Sequence, residues 1–272
     1  KPYVIARNIM KWYVAVTTAP RKECTLISTL ESLEDCGWEP TVFAEPDSTP
    51  TARLTYHNSE RLGVWRNWVH SIHTALESDA DIIMTVQDDC DFHPESKQYV
   101  ESILWPSRDC GFVSLYTPKH YSIYASSVLR KLRRVDPSTP ELRPVGVNRI
   151  YTQSLWGACA LVWPRKVLEQ VAQHRLIEHW VGAVPRSGNP AVYKKRMENP
   201  SMIANSDTAI GKIMNQMSKS MWFIDPSLAV HTAKYSTIGH GGNDGRRNAY
   251  RKADHTIPLS EQLPALAERY DI

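Results

Sequence analysis

Apolar and β-branched residues run through this chain in short stretches, and many of those stretches end in polar groups. WYVAVTTAP (12–20) has the pattern of a buried strand running into small polar residues and a proline. ECTLISTLESLEDCGW follows, with Leu26, Ile27, Leu30 and Leu33 at helical spacing and Gly37 as a stop. EPTVFAEPD (39–47) is a second short strand that closes in acids. Beyond a loop with Pro50, Val64, Trp68, Ile72 and Leu76 predict a helix that feeds directly into IIMTVQDD. Strand, helix, strand, helix, strand predicts an α/β fold: a Rossmann-type sandwich with a mostly parallel central sheet flanked by helices.

The second half is less regular. CGFVSLYTP (110–118) reads as a strand, and YASSVLRKLRRVDPSTPELRPVG as a Pro- and Arg-rich surface excursion. WGACALVWPRKVLEQVAQHRL reads as a strand, a proline at a helix start, then a helix. NSDTAIGKIMNQM opens a helix with Asn205 or Ser206 as N-cap and Asp207 in its first turn, and MWFIDPSLAVH reads as a strand ending at His231. STIGHGGNDGRRNAYRKADH, with its glycines and charges, predicts a mobile loop. No repeat or linker divides the chain, so a single domain over 1–272 is expected, with halves at 1–118 and 119–240 and a mobile segment at 241–272.

Composition narrows the class without naming a function. Hydrophobic residues make up 42% and charged residues 22%, the mix of a globular protein rather than a disordered one. A net charge of +3 is too weak to argue for nucleic acid by itself. No apolar run approaches the ~18 residues of a membrane span, and the polar-interrupted start does not read as a signal peptide. Five scattered cysteines without a C-x-x-C pair speak against a disulfide framework and a Cys-rich zinc site, so a cytoplasmic location is expected. Nine tryptophans would serve a core or a stacking surface equally well.

Three strand ends at 17–21, 45–47 and 87–91 carry polar groups on what should be one rim, and ligands of such sheets bind outside the carboxyl ends of the strands. QDDCD is the most pointed of them. Three carboxylates in four positions repel one another, so either the strand has run out into solvent or something positive sits there. Alternation along an extended segment places Asp89 and Asp91 on one side and Asp88 on the other, and two carboxylates side by side suit Mg²⁺ or Mn²⁺. A phosphatase-type acidic motif expects Thr or Val after the second acid, where this chain has Phe92, His93 and Pro94. A calcium loop expects a Gly and a distal Glu that are absent. A cation that neutralises a diphosphate leaving group remains.

GVWRNWVHSIHTALESDADIIMTVQDDCDF resembles the segment of GT-A-type glycosyltransferases in which an Arg–Asn helix precedes a strand and an acidic D-x-D motif. WGACALVWPRKVL, NSDTAIGKIM and DPSLAVHTAKYSTIGH follow in the order of that family's acceptor-side strand, base-bearing helix start and late His strand. The likeness is to small, family-2-like members, and Gln87 stands where many relatives have an acid. It implies a GT-A-like fold that takes a nucleotide-sugar, a UDP-sugar first, with Mn²⁺ or Mg²⁺. Thr17, Thr18 and Arg21 would touch the nucleotide, Glu45 its base or ribose, and Arg66 and Asn67 would lie near the donor. Asp88 would hold ribose or donor sugar, and Asp89, Asp91 and His231 the cation. Asp207 would deprotonate the acceptor hydroxyl in an inverting displacement, with Trp156 and Gly157 on the acceptor side. Arg246 and Arg247 would close on the diphosphate.

Each residue also has a plainer use. The threonines simply end a strand, Arg66 decorates a helix surface, Asp207 complements a helix dipole, His231 is a hydrogen-bonded core histidine, and Trp156 is packing. The basic runs RKLRR, YKKR and RRNAYRK interleave with aromatics, which suits DNA carrying a hydroxymethylated base, as in phage-type DNA-modifying enzymes, or equally a solvated face. A nucleotidyl- or phosphoryl-transferase using the same acids, and a non-catalytic binding protein, are the other two readings. The sequence points to no obligate protein partner.

Overall fold

A computed structural model describes residues 10–118, 146–150, 155–182, 190–232 and 252–269. The expected order of elements opens it: β1 (Trp12–Thr18), α1 (Leu26–Asp35), β2 (Pro40–Ala44), a short β3 (Thr55–His57), α2 (Gly63–Glu77) and β4 (Ile82–Gln87). Then come β5 (Cys90–Phe92), α3 (Ser96–Ile103), β6 (Cys110–Ser114), β7 (Gly146–Arg149), β8 (Ala160–Pro164) and α4 (Arg165–Ala172). α5 (Leu176–His179), α6 (Pro190–Glu198), a 3-10 turn (Pro200–Met202), α7 (Ser206–Gln216), β9 (Ser220–Asp225), β10 (Ala229–His231) and α8 (Leu259–Arg269) complete it.

Eight strands form one sheet in the order β3-β2-β1-β4-β8-β6-β9-β7. β1 to β4 run parallel to one another. β8 runs antiparallel between β4 and β6, β9 is parallel to β6, and β7 closes the edge antiparallel. The sheet is therefore mostly parallel, as the strand–helix alternation predicts. Alternation along each strand feeds two cores. Val14, Val16, Ile82, Met84 and Val86 face Leu26, Leu30 and Leu33 of α1, with Val100 of α3 and Leu259 of α8 in the same cluster. Ile83, Phe112, Leu161 and Trp163 face Trp65, Trp68 and Ile72 of α2 together with α4 and α7. Each fully buried Leu or Ile contributes on the order of 1.5–3 kcal/mol.

Several sequence expectations shift by a residue. Ile27 is off the buried stripe of α1 and 40% exposed, because 26, 30 and 33 already define the inward face. In α2 the buried line runs through Trp65, Trp68, Ile72 and Ala75 rather than through Val64 and Leu76. The strand expected to end at His231 is two strands in two sheets, with Pro226 between them, and β10 pairs antiparallel with β5. β3, α3 and β7 were not predicted; β3 and β7 are too short for a periodic signal. Within 241–272, Leu259 is buried, and its N–H donates to Glu95 Oε2 at 2.7 Å, fixing the start of α8 to α3. Most tryptophans serve the core: Trp65 stacks on Trp68 at 5.2 Å, and Trp163 packs on Phe112 at 4.9 Å. All five cysteines are free thiols. No helix among the described residues is long and apolar enough to cross a membrane.

Candidate active site at the carboxyl ends of β1 and β4

The chain leaves β1 for β2 on one side and returns through α2 to β4 on the other, so the strand order reverses between β1 and β4. In open α/β sheets this reversal opens a crevice beyond the strand ends, where ligands bind. Register pairs Thr17 with Gln87, so the residues that follow, Thr18 to Arg21 and Asp88 to Asp91, emerge side by side.

What sits there is positive. Asp88 and Asp89 form a turn rather than a continued strand, and their side chains are only 3% and 4% exposed. The Arg21 guanidinium lies across both: Nε donates to Asp88 Oδ1 at 2.9 Å, and Nη2 reaches the same oxygen and, at 2.8 Å, Asp89 Oδ2. Thr18 Oγ1 donates to Asp88 Oδ2 at 2.5 Å. His231, delivered by β10, places Nε2 3.0 Å from Asp89 Oδ2. Thr17 stands at the rim with its hydroxyl on the Val86 carbonyl at 3.3 Å. The turn breaks the alternation read from the sequence: Asp88 and Asp89 converge on one guanidinium, while Asp91, 44% exposed, faces His255 Nδ1 at 3.5 Å.

The electrostatics follow from burial and this one cation. Burial resists ionisation of Asp89, but the hydrogen bond and charge of His231 and the charge of Arg21 outweigh it and hold the carboxyl below its ordinary value. Burial lifts Asp88 above its ordinary value despite Arg21. Burial also opposes the charge on Arg21, and the two carboxylates more than compensate, raising its proton affinity. One polar atom of this cluster is left over: Asp89 Oδ1 is buried with no hydrogen-bond partner among the described residues. Cys90, beneath the turn, is drawn far above the ordinary thiol range by Cys159 and by burial.

A second cluster reaches the same edge. Gln87 N–H donates to the Cys159 carbonyl at 2.8 Å, so residues 156–159 enter β8 where β4 ends. Gly157, at φ +72, packs so closely on Tyr116 that an added Cβ would lie 2.7 Å from the ring, and Trp156 beside it is 42% exposed. Asp207, half-buried in the first turn of α7, accepts from Thr208 N at 2.7 Å and from Gly157 N at 3.5 Å. Trp156, Gly157 and Asp207 are thus brought together.

The other expected residues lie apart from these two clusters or outside the described residues. Glu45 is buried, and its two oxygens accept from the N–H groups of Leu62 and Gly63 at 2.9 and 2.8 Å, so it caps α2. Asn67 is buried between the Phe43 carbonyl and Asn58, tying α2 to β2. Arg66 is exposed on the outer face of α2. Arg246 and Arg247 lie outside the described residues. Sequence reasoning named Arg21 as a nucleotide contact and missed it as the partner of the acids. The signal was charge balance, an arginine just past one strand end opposite a crowd of carboxylates past another.

No protein-family model matches the chain, and no curated protein matches it in sequence. Among solved structures, the mannosyltransferase PcManGT from Pyrobaculum calidifontis, in complex with GDP-Man and Mn²⁺, is similar at 14% identity and a TM-score of 0.43, over 88% of this chain and 62% of that one. The 1–349 portion of S. aureus TarS is similar at 10% identity and a TM-score of 0.46, over 82% of this chain and 60% of that one. The chain spans about three fifths of each. At that distance neither assigns a family, and the reading below rests on the residues.

Proposed function

We propose that the chain is a GT-A-like glycosyltransferase that moves a sugar from a nucleotide-sugar donor to an acceptor hydroxyl. The observation that carries this reading is the meeting, at one rim beside the strand reversal, of a buried acid–guanidinium cluster with a second cluster holding a carboxylate and an exposed indole. The first suits a nucleoside diphosphate; the second suits an acceptor.

In this reading Thr17, Thr18 and Arg21 line the donor side, and Asp88 holds the donor's ribose or sugar. Asp207 takes the proton from the acceptor hydroxyl as that oxygen attacks the anomeric carbon and the bond to the diphosphate breaks. One base, with no partner nucleophile assigned among the described residues, gives inversion in this reading. Trp156 offers its exposed face to a sugar or base, and Gly157 lets that segment lie against Tyr116. The fit to a divalent cation turns on the donor set. The unpartnered buried oxygen of Asp89 and the imidazole nitrogen of His231 are an oxygen–nitrogen pair suited to Mn²⁺ or Mg²⁺. Asp91 is turned toward His255, and no group of three or more His, Cys, Asp or Glu side chains among the described residues forms a cage. Asp89 and His231 would therefore hold the ion, with the remaining positions open to phosphate oxygens. A bound ion would neutralise the departing diphosphate.

The acceptor carries a hydroxyl. Of the three basic runs that suit DNA, one lies on α6, where Lys194 and Lys195 are exposed; the other two are outside the described residues, save Lys252. Steeply salt-dependent binding of duplex DNA would support a modified base as its carrier.

Thermal shift with UDP, GDP and UDP-sugars, with and without Mn²⁺, tests the donor side: stabilisation by one nucleoside diphosphate is expected, and no response to any would favour a non-catalytic protein. Asp207→Asn should lower turnover about 10²–10⁴-fold with donor binding retained. Near-unchanged turnover would remove Asp207 from the base role. Release of pyrophosphate rather than a nucleoside diphosphate would point to nucleotidyl transfer.

A further inference from the structure

We propose that Arg21 is a built-in counter-cation that competes with the divalent ion for Asp89 of the Asp88–Asp89 pair, and that it is released onto the donor diphosphate when the ion binds. The inference rests on the donor and metal reading above, and it concerns what that reading leaves unexplained: why a guanidinium already fills the acidic turn.

Two buried carboxylates at neighbouring positions need a cation, and Arg21 supplies a permanent one, bound to both. The arrangement is nevertheless incomplete. Asp89 is 3% exposed, yet its Oδ1 has no partner, an unfavourable state for a buried carboxylate oxygen. The other three carboxylate oxygens of the pair each meet a donor, as do both oxygens of Glu45 after β2. A small divalent ion beside His231 would claim the vacant oxygen.

The two cations cannot share the pair, because a dication a few Å from a guanidinium repels it strongly in a buried site. Arg21 belongs to the irregular connection between β1 and α1, and its side chain is 12% exposed against 3% and 4% for the two acids, so it is the least enclosed of the three. Carboxylate and phosphate present the same two-oxygen face to an arginine, so a donor diphosphate offers Arg21 an equivalent partner. Ion and nucleotide then help each other bind, since each removes an obstacle to the other.

The test measures Mn²⁺ affinity directly, by the loss of the free-ion EPR signal, for the parent chain, Arg21→Met and Arg21→Lys, each with and without UDP. The parent should bind Mn²⁺ weakly alone and at least tenfold more tightly with UDP. Arg21→Met should bind Mn²⁺ alone at least tenfold more tightly than the parent and lose most of the UDP effect, with Arg21→Lys between them. Mn²⁺ should also raise the melting temperature of Arg21→Met more than that of the parent, which keeps the test decisive if the variant is only marginally folded. Mn²⁺ binding to Arg21→Met no tighter than to the parent, or absent from both, overturns the proposal. The arms without nucleotide test Arg21 alone; failure of UDP to bind any variant would instead sink the donor reading.

Discussion

Two buried acids stand at the carboxyl ends of two parallel strands of one sheet, and they are satisfied in opposite ways. Glu45, after β2, gives both oxygens to backbone N–H groups at the start of α2, which are neutral and fixed by the helix. Among the described residues Asp89, after β4, meets only the side chains of Arg21 and His231 on one oxygen and nothing on the other. Partners built into the backbone cannot leave without unfolding a helix turn, whereas side-chain partners can rotate away. Burial and position alone would rank the two acids equally as site residues. What separates them is whether their partners can be exchanged.

The sharpest way to break this comparison is to remove the exchangeable cation. Arg21→Met leaves Asp88 and Asp89 buried without it and should cost about 3–5 kcal/mol in urea unfolding; a loss below about 1 kcal/mol would mean that the acids are solvated and that the contrast with Glu45 is false. Glu45→Gln comes next. The amide keeps one acceptor but turns an NH₂ toward a backbone N–H, so stability should fall by about 1–3 kcal/mol with nucleotide binding unchanged. Weakened nucleotide binding at equal foldedness would return Glu45 to the donor contact that the resemblance implies. The smallest effect is the response to acid. Asp89 is held below its ordinary value in the fold, so the folded state carries fewer protons there than the unfolded chain. Its contribution is complete above the unfolded value of about 3.9 and is lost as the pH falls through the lower folded value. Asp88, lifted by burial, acts in the opposite sense, so the comparison of parent with Asp89→Asn isolates the effect: the variant should show a shallower loss of stability below pH ~4.

The parallel half of the sheet was legible because each element carries a local signal: β1 and β4 are short apolar runs buried on both faces, and α1 and α2 each bury a face set by helical spacing. The fate of the acids was not, because it depends on contacts across nearly seventy positions of sequence. Strand alternation sent Asp88 and Asp89 to opposite sides, and a two-residue turn brought them to the same one. Glu45 could not be recognised as a cap, since the N–H groups it serves lie 17 and 18 residues on. Asp207 fared better: an acid just past Asn205 and Ser206 announces a helix start locally, and α7 begins at Ser206, although the Asn205 side chain makes no capping hydrogen bond. Its neighbours at Gly157 and Trp156 needed the β4–β8 register, which periodicity does not supply.

Gly63, the first residue of α2, lies so near the 3-10 turn ahead of α7 that an added Cβ would sit 2.1 Å from the Ser201 carbonyl oxygen. Main chain therefore meets main chain between the helix that Glu45 anchors and the segment leading to Asp207. A spacer made of backbone has no rotamers and does not change length when side chains around it are replaced. Side chains around Trp156 and Asp207 are thus free to be replaced residue by residue, by descent or by design, while the seating of α7 against α2 stays calibrated.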